Sequence, residues 1–415
     1  MDDRCYWIWL QSALGVQSRL EEAIAYFGTA RRLYEAGELE WKLAGLFTAR
    51  QLEKLRSQRL TQAEEILKQC AGNGWLALTP EDPCYPKRLR AIPNFPAALY
   101  VWGRMPDLDG RVALAVVGAR EASFQGRQIA QGLCKAFAQA GAVVVSGGAL
   151  GIDSAAHMGA LEGGGETVAF LGCGLGARYL MENQYLRESI AAHGAVVSEF
   201  PPGTPPGRTT FPVRNRLLSG VSCGTVVIEA GEKSGSLITA RCALEQGRDV
   251  FAVPGDIVSS AYTGANRLIR DGAKPVLTAM DVLEEYQYLY PDTLHLTGAD
   301  RPFAKLQKKQ GQALHNMHNC ARMHNIRETQ AVSAQAAGSK SMPEHLSAPA
   351  KQLLTLLSAG ALYVDEAADR LRLPAQDILR AFTELELYGL VRPESGRRYT
   401  CLLYTSPSPR DRSVS

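Results

Sequence analysis

The chain has 415 residues, 46% of them hydrophobic and 21% charged, and a net charge of only +3. That length supports two or three domains with a large core, and that balance excludes a strongly basic surface, so any nucleic-acid site must be a local patch. No apolar run approaches the roughly 20 residues that cross a bilayer, and the start, MDDRCYWIWLQSALG, lacks the marks of a secretion signal, so a cytoplasmic protein with no membrane partner is expected.

Residues 1–75 are helical in pattern. EEAIAYFGTARRLYEAG ends on glycine, a common helix stop, and ARQLEKLRSQRLTQAEEILKQCAGNGW reads as one or two amphipathic helices. A small helical module of SAM or helix-hairpin-helix type is expected there. Residues 76–110 are rich in proline and read as an extended connector laid against the next domain.

From 111 to 291 a rhythm sets in. VALAVVG, AVVVSGG, TVAFLG, AVVSEF, GTVVIEA, DVFAVPG and KPVLTA are short apolar runs ending in small or polar residues, and most are separated by helical patterns. Alternation of this kind, with near-continuous apolar strands, predicts an α/β fold with a parallel sheet covered on both faces. Such sheets bind ligands outside the carboxyl ends of their strands. Residues 292–348 lose the rhythm and read as a flexible linker. Order returns over 349–400, where three helical patterns and VRPESGRRYT predict a winged helix. The tail, 401–415, shows no apolar periodicity and is expected to be disordered or non-native.

Small residues cluster where ligands should bind. Gly118 and Arg120 follow the first run, Ser146, Gly147 and Gly148 the second, Gly172 and Gly174 the third. Ser234, Gly235 and Ser236 precede a helix that Ser236 can cap and that carries Thr239. Glycine turns and helix N-termini let backbone N–H groups approach an anion, although turn glycines also serve as packing devices. Glu229 ends its strand beside the serine turn, either as an acid or base or as a polar terminator that binds backbone amides. In FPVRNRLLSG, Arg214 and Arg216 flank Asn215 near a helix start, where the helix dipole disfavours cations. Between Phe200 and Ile228 there are three arginines and no Asp or Glu, so their charge calls either for an external anion or for carboxylates elsewhere in the fold.

FPVRNRLLSGVS, VVIEAGEKSGSLITARCALEQGRDVFAVPG and GANRLIRDGA, together with YPKRLRAIPNFPAALYVWG, VVGAR, SGGALGIDSAAH and FLGCGLG, resemble the DNA-processing protein A (DprA/Smf) family over residues 1 to about 400. The resemblance implies an extended Rossmann-like domain that binds single-stranded DNA, a helical N-terminal module and a C-terminal winged helix. It further implies a homodimer that protects incoming single strands and hands them to the RecA recombinase during natural transformation, without cofactor, metal or catalysis. On this reading the missing anion is a DNA phosphate. Arg214 and Arg216, two apart, point to different sides of their helix, so one grips phosphate while the other anchors a neighbouring loop.

The chain departs from the family pattern at Gly148 and Leu150, where SGLARGID is usual, and at Leu180 and Met181, where proline and a basic residue are usual. Two phosphate contacts are therefore expected to be missing, with Arg178 as a possible substitute. Residues 111–286 hold 15 Lys and Arg against 16 Asp and Glu, which suits a narrow pocket for a few splayed nucleotides better than a duplex-coating face. Phe124 and Tyr179 are candidates for base stacking or for the core. The third helix of the winged unit carries Asp377, Glu384 and Glu386 against Arg380, which favours protein binding or dimer regulation, while Arg397 and Arg398 keep a weak DNA role open.

The remaining motifs carry less. The histidines and cysteine of HNMHNCARMHN (315–325) lie in the linker and are read as solvated. His157, one helical turn after Asp153, is expected to form a structural pair with it. Nine cysteines without a CxxC pair read as reduced thiols. An alternative function, a nucleotide phosphoribohydrolase-like enzyme, draws on the faint likeness of CGTVVIE to the GT-containing turn of those enzymes. The chain has no GxxxxGK[ST] loop for an ATP-driven motor.

Overall fold

The structure is a computed structural model and describes residues 2–16, 20–296, 347–357, 362–387, 390–394 and 398–401. The histidine-rich stretch, Arg397 and the last fourteen residues lie outside them. The chain divides into two units, 1–318 and 319–415.

The first unit opens with five helices: α1 (Arg4–Leu14), α2 (Leu20–Phe27), α3 (Ala30–Ala44), α4 (Ala49–Ser57) and α5 (Leu60–Gly72). Thr48 begins α4 with a reciprocal capping box to Gln51, which satisfies two backbone donors that would otherwise lack partners. This module is joined to the sheet by a buried side chain. Gln11 of α1 donates to the carbonyls of Ala98 and Glu199 at 3.1 and 2.9 Å and accepts from the Tyr100 hydroxyl at 2.8 Å.

The proline-rich stretch is more than a connector. It folds into β1 (Trp75–Leu78), the single turn α6 (Lys87–Arg90) and β2 (Leu99–Gly103). These strands pair antiparallel with each other and β2 pairs antiparallel with the sheet. The prolines lie between the strands, where they remove no ladder donor.

All seven apolar runs form strands: β3 (Ala113–Gly118), β4 (Val143–Ser146), β5 (Thr167–Leu171), β6 (Gly194–Ser198), β7 (Gly224–Ile228), β8 (Asp249–Ala252) and β9 (Lys274–Pro275). With β1 and β2 they make one nine-stranded sheet in the order β1-β2-β6-β5-β4-β3-β7-β8-β9, parallel from β6 to β9. The strands feed both faces. Leu114 and Val116 of β3 enter one core with Leu133 and Phe137 of α7 (Phe124–Gln139) and Ala155 and Ala156 of α8 (Ile152–Glu162). Ala113, Ala115 and Val117 enter the other, with Leu217 and Val221 of α10 (Thr210–Val221), Ala240 of α11 (Ser236–Glu245), Ala265 of α12 (Thr263–Arg270) and the N-terminal helices. The intervening α9 spans Gln184–Ala192, and α13 (Met280–Leu283) follows β9.

From β3 the chain winds outward through β4, β5 and β6, then crosses back to place β7 on the other side of β3. The switch point therefore lies between β3 and β7, where a doubly wound sheet opens a crevice. Gly118 sits at that point, and a Cβ there would meet the Ile228 carbonyl at 1.9 Å, so only glycine lets the two strand ends lie side by side.

The second unit contains α14 (Ala348–Leu357), β10 (Leu362–Tyr363), α15 (Val364–Leu371), α16 (Ala375–Leu387), β11 (Val391–Glu394) and β12 (Arg398–Cys401), with strand order β10-β12-β11. Leu353, Leu354, Ile378 and Phe382 form its core, and the Phe382 ring stacks on Tyr399 with centroids 3.9 Å apart. This is a winged helix. Of the three acidic residues of α16, Glu384 is engaged locally, accepting from the backbone N–H and hydroxyl of Ser347.

Candidate nucleic-acid interface

A cavity of about 580 Å³ opens at the switch point. Its walls come from the carboxyl end of β3, the turn after β4 with the start of α8, the 206–208 segment, α10, and the serine turn with the start of α11. Eight of the expected residues line it: Gly118, Arg120, Arg214, Asn215, Ser234, Gly235, Ser236 and Thr239.

Arg214 supplies the charge at its floor. The side chain is only 4% exposed, and its guanidinium donates to the carbonyl of Gly147 at 2.7 Å, to that of Phe170, and to Asn215 Oδ1 at 3.2 Å. Among the described residues no carboxylate closes an ion pair with it. Asp153, also buried and also lining the cavity, attracts Arg214 from farther away and accepts the Ala149 N–H at 3.3 Å. Burial pushes Arg214 below its ordinary range, opposed by Asp153, and pushes Asp153 up, opposed by Arg214. The floor thus holds a buried positive charge that Asp153 opposes only from beyond ion-pair distance.

The rim adds cations and aromatic rings. The exposed Arg120 guanidinium lies 4.8 Å from the centroid of Phe211, within cation–π range, and Tyr179 packs on Phe211 with centroids 5.3 Å apart. Arg208, also exposed, lines the same wall. On the opposite side the Ser234 and Ser236 hydroxyls stand 2.8 Å apart, and Asn215 Nδ2 ties the turn to α10 through the Gly235 carbonyl at 3.3 Å. Ser236 does not cap its helix. Gly235 takes the cap position without a side-chain bond, and Ser236 is the first helical residue.

The other expected contacts stand back from the cavity. Ser146 is fully buried and donates to the Val116 carbonyl at 2.6 Å. Gly147 leaves room for Arg214, Gly148 takes a left-handed backbone with φ 67°, and Gly174 packs against the turn around Pro201 and Gly203. Gly172 holds Phe211, since a Cβ there would come within 2.6 Å of the ring. Arg216 points into the protein and pairs with Glu199 at 2.6 Å, with Nε, Nη1 and Glu199 Oε2 lacking further partners. The two arginines point to different sides of α10, Arg214 to the crevice and Arg216 to the core, so Arg216 is not the DNA contact expected of it but the partner of an internal carboxylate.

Glu229 is the terminator of the two readings left open. With a strained φ of 50°, it accepts the Ser123 N–H at 2.8 Å and the Ser123 hydroxyl at 2.6 Å, fixing the start of α7. His157 does not pair with Asp153. The Thr167 hydroxyl gives its proton to the Val144 carbonyl and so accepts from His157 Nδ1–H at 2.8 Å, leaving Nε2 bare and buried. Phe124 is neither core nor rim, being 68% exposed at the start of α7. Arg208, Phe211 and Asp153 were missed by the sequence as cavity residues. PPGTPPGRTT has no helical or strand pattern to orient Arg208, Phe211 reads as a helix start, and Asp153 as the partner of His157. Only the acid-free arginine stretch pointed toward Arg208.

A doubly wound sheet with a cationic, hydroxyl-lined crevice at its switch point, followed in the chain by a winged helix, defines a Rossmann-like protein. Residues 76–287 match the family of the DNA recombination-mediator protein A and residues 337–397 the DprA winged helix domain; the chain belongs to the DprA/Smf family. It is 43% identical over 211 residues to the DNA processing protein DprA of Streptococcus pneumoniae, covering 50% of this chain and 73% of that one. It is 30% identical over 407 residues to protein Smf of Synechocystis, covering 96% and 98%. The X-ray structure of DprA from Streptococcus pneumoniae superposes with a TM-score of 0.59 at 33% identity, over 68% of this chain and 97% of that one. No helix among the described residues is long and apolar enough to cross a membrane.

Proposed function

We propose that the crevice binds single-stranded DNA without catalysing a reaction on it. One observation carries this reading: Arg214 is buried at the cavity floor with no ion-pair partner among the described residues, below two exposed rim arginines, Arg120 and Arg208. A phosphate between floor and rim completes the missing pair, and the Arg120–Phe211–Tyr179 stack offers a face for a base. The engagement of Glu229 with Ser123 supports binding over hydrolysis, because that carboxylate is already committed to structure. Family membership extends the proposal to a cytoplasmic role in natural transformation and recombination, with protection of incoming strands and loading of RecA. It also extends to a homodimer. Ile257, Val258 and Leu277, 92%, 87% and 65% exposed in the turns after neighbouring strands β8 and β9, would give a second copy an apolar surface.

The test is binding of labelled oligothymidylate across salt, alongside base release from nucleoside monophosphates. Tight, salt-sensitive binding to single strands, weak binding to duplex and no base release are expected. Turnover of nucleotides with indifferent affinity for DNA would overturn the reading.

A further inference from the structure

A second cleft, about 500 Å³, opens on the far side of the 172–181 turn. Trp75, Trp102 and Val196 line it and are successive partners across β1, β2 and β6, so the three side chains form one row on one face of the sheet. Both indoles are half-buried, and the turn lies flat on one of them, a Cβ at Gly176 coming 3.0 Å from the Trp75 ring. The opposite wall is cationic. Arg178 is exposed; Arg187, 5% exposed, donates to the Leu180 carbonyl at 2.7 Å. Among the described residues neither arginine closes an ion pair. The carboxylate whose charge acts on Arg187, Glu188, is exposed and accepts from Gln184 at 3.0 Å.

A core needs indoles here but not a buried unpaired guanidinium beside them, which costs desolvation without a compensating charge. Aromatic rings beside free guanidinium groups are what a nucleotide recognises, base on indole and phosphate on cation. Continuity points to the source. The turn that walls this cleft with Arg178 carries Tyr179, which packs on Phe211 at the rim of the crevice. We infer that the Trp75–Trp102–Arg178–Arg187 cleft is a second nucleotide subsite, in which the strand held at the switch point crosses the 172–181 turn and stacks a further base. The segment that builds its outer wall, ARYLMENQ, is one of the two that depart from the family pattern, and its own Arg178 would supply the cationic contact missing at Met181.

This inference rests on the crevice being a DNA site, and oligomer length separates the two. The full chain is titrated with oligothymidylates of about 4 and about 16 nucleotides, the range that single-strand-binding folds occupy. Trp75→Leu and Arg178→Ala are each expected to weaken the longer oligomer by about tenfold and leave the shorter one unchanged. Arg178→Ala also lowers the salt slope on the longer oligomer by about 0.7. Arg178 is exposed, so its variant reports even if the tryptophan variant misfolds. Tryptophan fluorescence of the parent should be quenched by the longer oligomer beyond the quenching by the shorter. Equal losses on both lengths, or none, would overturn the subsite while leaving the crevice reading intact. No binding of either length by the parent would overturn the crevice reading itself. Quenching by free thymidine monophosphate that the longer oligomer does not displace would assign the cleft to a free nucleotide and also overturn the strand path.

Discussion

Arg214 and Arg216 stand two positions apart on α10, and their guanidinium groups end in different worlds: one at the crevice floor on the carbonyls of Gly147 and Phe170, the other in the core on Glu199. Neither can replace the other. Arg214 is positioned by neutral acceptors and closes no ion pair among the described residues, whereas the charge of Arg216 is matched inside the protein.

Arg216→Met should therefore be a stability variant. It leaves Glu199 buried without its cation, in a place where burial already pushes that carboxyl up. A loss of about 3–5 kcal/mol is expected, measured by denaturant unfolding. Adding Glu199→Leu should restore most of it, because an apolar pair replaces an ion pair of similar volume. If the double variant is no more stable than the single one, the pair is not the unit holding α10 to β6.

The rim arginines should behave in the opposite way. Arg120 and Arg208 are exposed, and neither enters an ion pair among the described residues. Arg120→Ala and Arg208→Ala should each change stability by about 0.5 kcal/mol or less. Each should lower the slope of log affinity against log salt by about 0.7, the value for one phosphate contact on a single strand. An unchanged slope in both variants would remove the rim from the DNA path.

Gly172→Ala tests the aromatic wall rather than an anion nest. A methyl group there meets the Phe211 ring at 2.6 Å, and Phe211 carries both Arg120 and Tyr179. Displacing the ring should cost about 1–3 kcal/mol of stability, as overpacking does, and should weaken single-strand binding although no cation has been removed. Thermal unfolding and the salt slope read the two effects apart, since the slope should not move.

The strands were legible because each is an unbroken apolar run, which a sheet buried on both faces requires. β1 and β2 were not, because WLAL and LYVWG are short and sit among prolines, and their pairing is with each other and with β6 across long stretches of chain. The crevice was legible from its glycine-bearing strand ends, but the duty of each glycine was not. A glycine that lets two strand ends lie side by side and one that admits a neighbour's ring both need the smallest side chain, so Gly118 and Gly172 look alike in sequence. The spacing of Arg214 and Arg216 announced two sides of a helix. Which side faced the ligand was decided by Glu199, seventeen residues upstream at the end of β6, and only the fold brings it there.

The buried histidine sets a pH dependence with a definite sign. Burial, aided by the Arg214 charge, lowers His157 from 6.5 to about 3. The native state therefore refuses a proton that the unfolded chain accepts, and the histidine's contribution is fully present above about 6.5 and is lost as pH falls toward about 3. Within that window the loss is about 1.4 kcal/mol per pH unit. Asp153 and Glu199, both pushed up by burial, run the other way, because the native state holds their protons more tightly than the unfolded chain does. The total curve mixes these terms, so the measurement is a difference. His157→Asn keeps a donor for Thr167 Oγ1 and removes the titration. Urea unfolding of parent and variant between pH 4 and 7 should give a stability gap that is level above about 6.5 and narrows below it as pH falls, at about 1.4 kcal/mol per unit. A gap independent of pH would mean that His157 takes up its proton in the folded state, and that the bare Nε2 has a partner which the packing around Thr167 does not supply.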